Sequence, residues 1–254
     1  MVLLVYLVRV RFARNGSYFF TELSPCLFCT FDFMKKLLIL ISCVLTISCQ
    51  SQIPKGFSYL SDIDSTIQSE LRYITHNNFI GKPIDGYDKN TVIITTPAAK
   101  ALHKVQSKLA DFGLSLKVFD AYRPQRAVDH FVRWAKVLND TVMKQEYYPD
   151  VAKKDLFKLD YIASKSGHTR GSTVDLTIVD TKTGKELDMG SSYDFFGTAS
   201  HPFYTNLTKK QRSNRLLLRN LMLEAGFKPY AKEWWHFTLK EEPYPETYFD
   251  FPIK

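Results

Sequence analysis

The sequence predicts an α+β fold in a single domain of about 200 residues. Helical and strand patterns follow one another without a regular βα repeat, which argues against a doubly wound parallel sheet. Charged residues make up 24% of the chain and aromatic residues 14%, as in a globular protein with a full core. No repeat, low-complexity tract or long linker interrupts residues 50–254. This composition excludes a disordered chain, a collagen-like repeat and a disulfide-stapled miniprotein.

The amino-terminal 49 residues differ from the rest and contain all four cysteines. Two lysines follow Met34, and residues 37–47 are almost wholly apolar before Cys49. This order is typical of a secretory signal, which we assign to residues 34–49. The apolar run is well below the roughly 20 residues of a membrane-spanning helix. We therefore expect an exported protein, periplasmic or membrane-anchored, and a cytoplasmic one if the signal is not used.

Two details of this segment have alternative interpretations. Ser48-Cys49 resembles the junction of a bacterial lipoprotein signal, in which Cys49 carries the lipid anchor. Thr46 stands where leucine is usual, so an ordinary signal cleaved nearby is the alternative. Residues 1–33 fit no element of the domain, and we expect translation to begin at Met34, with residues 1–33 as a non-native upstream extension.

A metal or redox role is not expected for Cys26 and Cys29. Cys26 and Cys29 form a CxxC motif, but no second pair lies within zinc-finger spacing.

The domain at residues 50–254 begins with two predicted helices and a strand between them. Apolar residues at helical spacing predict a helix over residues 97–112, stopped by Gly113. Alternation over residues 114–118 predicts a half-buried strand. A second helix is expected from Pro124 onward, because proline favours the first helical turn. The residues expected to face inward on these two helices are Leu102, Val105, Leu109, Phe112, Val128, Phe131, Ala135 and Leu138.

A strand and a helix follow. Val174, Leu176 and Ile178 alternate with polar residues and predict a strand. Thr208 and Gln211 form a capping box that opens a helix running to Gly226, with Leu217, Leu221 and Ala225 inward. Five basic residues on this helix are interpreted as a solvated surface: Lys209, Lys210, Arg212, Arg215 and Arg219. Because no aromatic residues interleave with these charges, we expect no nucleic-acid partner.

Two of the six histidines have neighbours that suggest chemistry. His168 lies in a glycine-containing turn that leads into the strand carrying Asp175. In a strand, Asp175 projects to the other face of the sheet from its core-facing neighbours Val174 and Leu176. Its carboxylate and the imidazole of His168 can therefore share a metal ion. The alternative is an Asp175 that bonds only a backbone amide. His76, His103 and His130 are expected to be solvent-exposed.

The second candidate element is Glu233-Trp234-Trp235-His236. In a regular strand Glu233 and His236 would face opposite ways, so both reach one site only if Glu233 lies on the turn before the strand. Three protein ligands leave zinc one position for water, and a carboxylate nearby can take the proton of that water.

Arg123 lies between a predicted strand and a helix. Pro124 disfavours the helical conformation for the preceding residue, so Arg123 is expected to be extended. An arginine held there can donate hydrogen bonds to the oxyanion of a tetrahedral intermediate. On spacing alone, a surface salt bridge is the stronger interpretation.

Several motifs in one order resemble the zinc D-alanyl-D-alanine dipeptidases of the vancomycin-resistance (VanX) type, peptidase family M15. The resemblance spans roughly residues 58–254. It implies a small α+β domain with a mainly antiparallel sheet flanked by helices, shared with zinc D,D-carboxypeptidases and the hedgehog signalling domain. The matching motifs are SxHxxGxxxD (Ser166 to Asp175), EWWH (Glu233 to His236), YRP (Tyr122 to Pro124), Met189-Gly190-Ser191 with Tyr193-Asp194-Phe195, and Glu242-Pro243-Tyr244-Pro245.

The resemblance also implies a role for each site residue. One zinc ion would be held by His168, Asp175 and His236. Glu233 would be the general base and Arg123 would stabilise the transition state. The ammonium group of the substrate would bind Asp194, in a pocket lined by Tyr73 and Ser166. Gly167 stands where serine is common, and Ala121 where glycine is common.

The expected activity is hydrolysis of D-Ala-D-Ala and related D,D-dipeptides in cell-wall turnover, because an exported enzyme would not protect precursor synthesis in the cytoplasm. A peptidoglycan D,D-carboxypeptidase is the first alternative, and a non-catalytic zinc-containing binding module is the second. Oligomeric state does not follow from the sequence.

Overall fold

A computed structural model describes residues 53–254 throughout and, before them, only four short strands. These are β1 (Tyr6–Leu7), β2 (Val10–Phe12), β3 (Tyr18–Phe20) and β4 (Ser24–Pro25). β1 pairs with β4 and β2 with β3, both antiparallel. Residues 1–52 and 53–254 form separate compact units.

The amino-terminal predictions lie outside the described residues. They are the signal at residues 34–49, lipidation at Cys49, the start at Met34 and the exclusion of a role for Cys26 and Cys29. Among the described residues, no helix combines the length and the apolar character needed to cross a membrane.

A five-stranded sheet forms the centre of residues 53–254, in the order β10-β11-β9-β8-β6. Only the β6–β8 pair is parallel, so the predicted α+β domain with a mainly antiparallel sheet is confirmed. A separate antiparallel pair joins β5 to β7. The strands are β5 (Phe57–Tyr59), β6 (Gln68–Ser69), β7 (Ile93–Thr95), β8 (Leu114–Asp120), β9 (Thr173–Asp180), β10 (Phe227–Pro229) and β11 (His236–Leu239).

Within residues 53–254, five α-helices and four short 3₁₀ helices accompany the sheets. The α-helices are α1 (Leu60–Ile63), α2 (Thr96–Ala110), α3 (Gln125–Lys136), α4 (Lys144–Tyr147) and α5 (Lys209–Glu224). The 3₁₀ helices are Arg72–Ile74, Lys153–Asp155, Gly167–Arg170 and Thr198–Ser200.

Helices α2 and α3 bury the predicted apolar faces, with one correction at the end of each. Phe112 is 79% exposed, because α2 ends at Ala110 and the chain turns at Gly113 with a φ of 67°. Leu138 is 57% exposed, because α3 ends at Lys136. In both cases the helical spacing of apolar residues continues beyond the end of the helix, and the last apolar residue is exposed to solvent.

The inward face of α5 agrees with the prediction at Leu221 and Ala225, which pack against the core, and differs from it at Leu217. Both hydrogen bonds of the capping box between Thr208 and Gln211 are present. The fully buried residues are Leu218 and Met222, whereas Leu217 is 38% exposed. Arg215 is buried with them and is not a surface residue. The interpretation of the five basic residues as one solvated face is therefore wrong at Arg215.

The central strands are covered on both faces. In β9 the apolar Val174, Leu176 and Ile178 are fully buried, and the polar residues between them are buried as well. In β8 the apolar Phe119 and the polar Asp120 are both fully buried. In the strand expected at residues 114–118, Ser115, Leu116 and Val118 are buried, while Leu114 and Lys117 are half-buried.

A candidate metal centre and active site

Three neighbouring strands of the sheet bring three polar side chains into one row. Asp175 on β9 lies directly opposite His236 on β11 and opposite Asp120 on β8. A bulge in β8 shifts the register between Val118 and Asp120. Because residues opposite each other in an antiparallel pair project on the same face, Asp120, Asp175 and His236 share one side of the sheet.

The 3₁₀ helix Gly167–Arg170 supplies the second histidine. Its first turn is capped by Ser166, whose Oγ accepts a hydrogen bond from the backbone N–H of His168. Gly171 ends the helix with a φ of 82°, and a Cβ there would lie 2.2 Å from Phe57. Glycine is therefore required at the point where the chain turns from His168 into β9.

His168, Asp175 and His236 converge. His168 Nε2 lies 3.2 Å from Asp175 Oδ2 and 3.3 Å from His236 Nδ1. His236 Nδ1 lies 3.0 Å from Asp175 Oδ1. One nitrogen or oxygen atom of each residue lies within 4.8 Å of the other two, which is close enough for all three to contact one metal ion.

Two features show that this cluster suits a metal ion. His168 Nδ1 donates a hydrogen bond of 2.7 Å to the carbonyl oxygen of Ala121, which leaves Nε2 with a free lone pair toward the cluster. Asp175 Oδ1 is buried and, apart from the 3.0 Å approach of His236 Nδ1, which is itself a candidate ligand atom, no donor among residues 53–254 is placed to bond it. Two imidazoles and a carboxylate are a common ligand set for zinc.

For both Asp175 and His236, the neighbouring charges oppose the effect of burial on the pKa. Burial alone would raise the pKa of Asp175, but His168 and His236 hold it below its ordinary value. Burial alone would lower the pKa of His236, but Asp175 raises it above the ordinary value. The carboxylate of Asp175 is therefore ionised and ready to act as a ligand.

Glu233 lies in the connection between β10 and β11, as the metal-site interpretation of the sequence required. Its Oε2 is 3.4 Å from His236 Nδ1, so it stands beside the cluster of three ligands without belonging to it. Burial raises the pKa of Glu233 to about 7. A carboxylate with that pKa can both accept and return a proton near neutral pH.

Arg123 is a buried residue of the site, and the prediction of a surface salt bridge is wrong. Its side chain is 12% exposed, and both Nε and Nη2 lie 2.8 Å from Asp120 Oδ2. Nη2 also lies 3.7 Å from Asp175 Oδ2. The guanidinium group stands 5.2 Å from the ring centroids of Tyr73 and Phe131. This arrangement holds a permanent positive charge next to the candidate metal ligands.

Asp120 is a functional residue that the sequence analysis left without a role. It is fully buried, and besides Arg123 it accepts a 2.6 Å hydrogen bond from the hydroxyl of Tyr87. Its Oδ2 also lies 3.6 Å from His168 Nδ1. The sequence pattern that could have indicated this role is an acidic residue at the end of a strand, three residues before Arg123. Tyr87 left no comparable signal in the sequence.

Asp194 lies in the same cavity on a separate loop. It is 7% exposed, and its Oδ2 accepts a 2.8 Å hydrogen bond from the hydroxyl of Tyr73. The hydroxyl of Tyr193 bonds in turn to Tyr73 and to Asp175 Oδ2, at 3.2 and 3.3 Å. Burial, and next the negative charge of Asp175, raise the pKa of Asp194 well above its ordinary value. A cationic ligand beside Asp194 would stabilise its ionised carboxylate.

One cavity of about 210 Å³ contains all eight residues that the sequence analysis singled out. Its lining includes the apolar residues Phe79, Val128, Phe131 and Phe196. The eight residues are Tyr73, Arg123, Ser166, His168, Asp175, Asp194, Glu233 and His236. Of the three histidines expected to be solvent-exposed, His76 and His103 are exposed and His130 is half-buried.

The comparisons with known proteins agree on one family. The model of the D-Ala-D-Ala dipeptidase family, peptidase M15, matches residues 54–254. A D-alanyl-D-alanine dipeptidase of Streptomyces coelicolor is 43% identical over 197 residues, covering 78% of this chain and 98% of that protein. The D-alanyl-D-alanine dipeptidase of Enterococcus faecium is 40% identical over 199 residues, with the same coverage of 78% and 98%.

The chain is also similar to a solved structure of a D,D-peptidase. It is a mutant of the vancomycin-resistance D,D-pentapeptidase VanY in complex with Zn(II), 12% identical and covering 61% of this chain and 77% of that chain. Its TM-score of 0.36 is too low to establish a shared fold. The family match covers most of the chain, and relatives at 40% identity or more are covered almost end to end. The chain therefore belongs to the D-Ala-D-Ala dipeptidase family of M15 peptidases.

Proposed function

We propose that this protein is a zinc-dependent dipeptidase that hydrolyses D-Ala-D-Ala and related D,D-dipeptides. The observation that carries the proposal is the single cavity in which a His–Asp–His cluster and the buried carboxyl group of Asp194 lie together. The first can hold a metal ion and the second can receive an ammonium group. The names of the relatives support the same activity.

His168, Asp175 and His236 would hold the zinc ion, with His168 oriented by its hydrogen bond to Ala121. When bound in a site with three protein ligands, zinc supplies Lewis acidity and lowers the pKa of a water molecule to about 7. Asp175 and His236 lie opposite each other on the adjacent strands β9 and β11, and His168 lies on the 3₁₀ helix that precedes β9.

Glu233 and Arg123 would perform the proton transfer and the charge stabilisation. Glu233 takes a proton from the attacking water and passes it to the nitrogen of the leaving amine. Arg123, held by Asp120, donates hydrogen bonds to the oxygen that becomes negative when the peptide carbonyl is attacked. Because Asp120 fixes the guanidinium group before substrate binds, little reorganisation is needed during the reaction.

Asp194, Tyr73 and Ser166 would bind the substrate. The ionised carboxylate of Asp194 pairs with the free ammonium group, while Tyr73 keeps the carboxylate oriented through the 2.8 Å hydrogen bond. An ion pair at this point favours a free dipeptide over a longer or blocked chain, because a blocked amine leaves the buried carboxylate unpaired.

Export and lipid anchoring of the protein are part of the same proposal. The signal pattern at residues 34–49 and the Ser48-Cys49 junction support them, and cell-wall turnover is the source of dipeptide that an exported enzyme would meet. Fractionation of cells that express the full chain and its Cys49→Ser variant tests this. Membrane association that is lost in the variant is the expected result, and unchanged membrane association contradicts the anchor.

Two other functions fit the site less well. A D,D-carboxypeptidase needs an opening on the amino-terminal side of the substrate, where Asp194 is 7% exposed. A binding module with a structural zinc needs neither Glu233 nor Arg123 in the cavity.

The test is release of D-alanine by the purified, zinc-loaded protein from free D-Ala-D-Ala and from its N-acetylated form. Turnover of the free dipeptide alone is the expected result. Comparable turnover of both indicates a carboxypeptidase. No release from either, with zinc bound, indicates the binding module.

A further inference from the structure

The loop that carries Asp194 needs support from outside itself. It runs from residue 189 to residue 201, and Asp194 adopts a φ of 61° within it. The left-handed conformation is unfavourable for a residue with a side chain, and it persists only where surrounding contacts maintain it. The position of the carboxyl group therefore depends on whatever holds the two ends of the loop.

Arg215 on α5 holds both ends. Its Nε donates a 2.6 Å hydrogen bond to the carbonyl oxygen of Met189, at the start of the loop. Its Nη1 and Nη2 donate to the carbonyl oxygens of His201 and Ala199, at 2.7 and 2.8 Å, at the end of the loop. One planar guanidinium group thus joins two stretches of chain that are about ten residues apart in sequence.

The same group reaches the turn that carries Glu233. The guanidinium carbon of Arg215 lies 5.9 Å from the ring centroid of Trp234, the residue after Glu233. Trp234 donates its indole N–H to Ser191 Oγ at 2.9 Å and its backbone N–H to the carbonyl oxygen of Ser200 at 2.9 Å. Arg215, the loop and the Glu233 turn therefore form one connected unit.

The environment of Arg215 is unusual for a charged side chain. It is 3% exposed, and its acceptors among residues 53–254 are the carbonyl oxygens named above and, at 3.4 Å, the hydroxyl of Ser191. Burial lowers the pKa of Arg215 to about 10, so the group stays protonated at neutral pH. A lysine would present its donors from a single atom and could not span the same carbonyl oxygens.

We propose that Arg215 is a positioning residue of this enzyme, which ties the 189–201 loop to the Glu233 turn and so aims the carboxyl group of Asp194 at the substrate's ammonium group. This inference rests on the proposed dipeptidase function. Arg215 does not line the cavity and acts through the loop and the Glu233 turn. The metal ligands lie on β9, β11 and the 3₁₀ helix Gly167–Arg170, so zinc binding does not depend on it.

The experiment compares the full chain with Arg215→Met and Arg215→Lys, using Lys210→Met as the matched control on the exposed face of α5. Three quantities are measured: zinc content, KM and kcat for free D-Ala-D-Ala, and amide hydrogen exchange over residues 189–201. We expect both Arg215 variants to keep zinc and to raise KM by about 10- to 100-fold, since small displacements of a binding group have effects of that size. Amides of the loop should exchange faster while β9 stays protected.

KM is the decisive quantity. A variant that is merely less stable has a smaller active fraction, which lowers the apparent kcat and leaves KM unchanged. Unchanged KM together with unchanged loop exchange in a folded, zinc-loaded Arg215 variant overturns the proposal. If Arg215→Met does not fold, Arg215→Lys carries the same test. If the unmodified protein releases no D-alanine, the proposed function fails, and the exchange measurement still decides whether Arg215 holds the loop.

Discussion

Replacing Asp194 with asparagine separates recognition of the substrate from chemistry. Asparagine keeps the shape of the side chain and an oxygen that can accept the hydrogen bond of Tyr73, but it removes the charge. The metal ligands and Glu233 are untouched. We expect the variant to fold, to retain zinc and to lose its preference for a free amine.

The size of the loss follows from the burial of Asp194. Removing one partner of a buried ion pair costs about 3–5 kcal/mol. The pKa of Asp194 is raised well above its ordinary value by burial and by Asp175, so part of this energy is needed to release a proton before the pair forms. We therefore take the lower end, about 3 kcal/mol, which corresponds to a decrease of roughly 100-fold in kcat/KM.

The assay is release of D-alanine from free and N-acetylated D-Ala-D-Ala by the zinc-loaded protein. The rate on the free dipeptide should fall toward the rate on the acetylated one, whose rate should hardly change. Asp129→Asn, the same substitution at an exposed position on α3, is the control and should resemble the unmodified protein. If Asp194→Asn keeps its selectivity for the free amine, Asp194 does not bind the ammonium group.

The remaining predictions concern the base, a ligand, pH and the turn before β9. Glu233→Gln should retain zinc while turnover falls by about 10²- to 10⁴-fold, whereas loss of zinc, measured by metal analysis, would make Glu233 a ligand. Asp175→Ala should lose zinc, and full zinc occupancy after dialysis would refute its assignment. Burial raises the pKa of Glu233 from 4.5 to about 7 in the metal-free fold, so its contribution to stability is complete below about pH 4.5 and is lost as the pH rises through 7. The measurement is the free energy of unfolding in urea, with a chelator present, for the unmodified protein and for Glu233→Gln. Between pH 5 and pH 8 the value for the unmodified protein should fall relative to that of the variant by at most about 3 kcal/mol. A difference between the two proteins that does not change with pH refutes this. Gly171→Ala should destabilise the protein by about 1–3 kcal/mol, because the φ of 82° and the 2.2 Å approach to Phe57 both oppose a Cβ, and an unchanged urea midpoint would contradict it.

Local patterns in the sequence were sufficient for most of the fold. The capping box at Thr208 and the alternation around Val174 concern neighbouring residues, and both have the expected structure. Phe112 and Leu138 were placed wrongly because apolar spacing continues past the residues where α2 and α3 end. Where a helix ends depends on the chain that follows it, which the spacing of apolar residues does not contain.

In the candidate site, too, local motifs were predicted correctly, whereas contacts between residues distant in sequence were not. The motifs around His168 and His236 indicated the cluster, and the structure brings the residues together. The link from Asp120 to Arg123 depends on a bulge in β8 and on pairing between distant strands. Arg215 was misplaced because charge alone suggests solvent, whereas its partners are backbone carbonyl oxygens more than ten residues away. Such partners leave no mark in the sequence near the arginine.

The placement of Asp120, Asp175 and His236 in one row across adjacent strands has a consequence for how this enzyme can change. Two of the three candidate metal ligands are built into the sheet, while the group that selects the amino end of the substrate lies on the 189–201 loop. Exchange of this loop between relatives, together with the residue at position 215, would alter which substrates are accepted without moving those two ligands, provided that the contacts of Tyr193 with Asp175 and of Trp234 with Ser191 are kept. Natural selection and protein engineering can therefore change the accepted substrate while those contacts stay fixed.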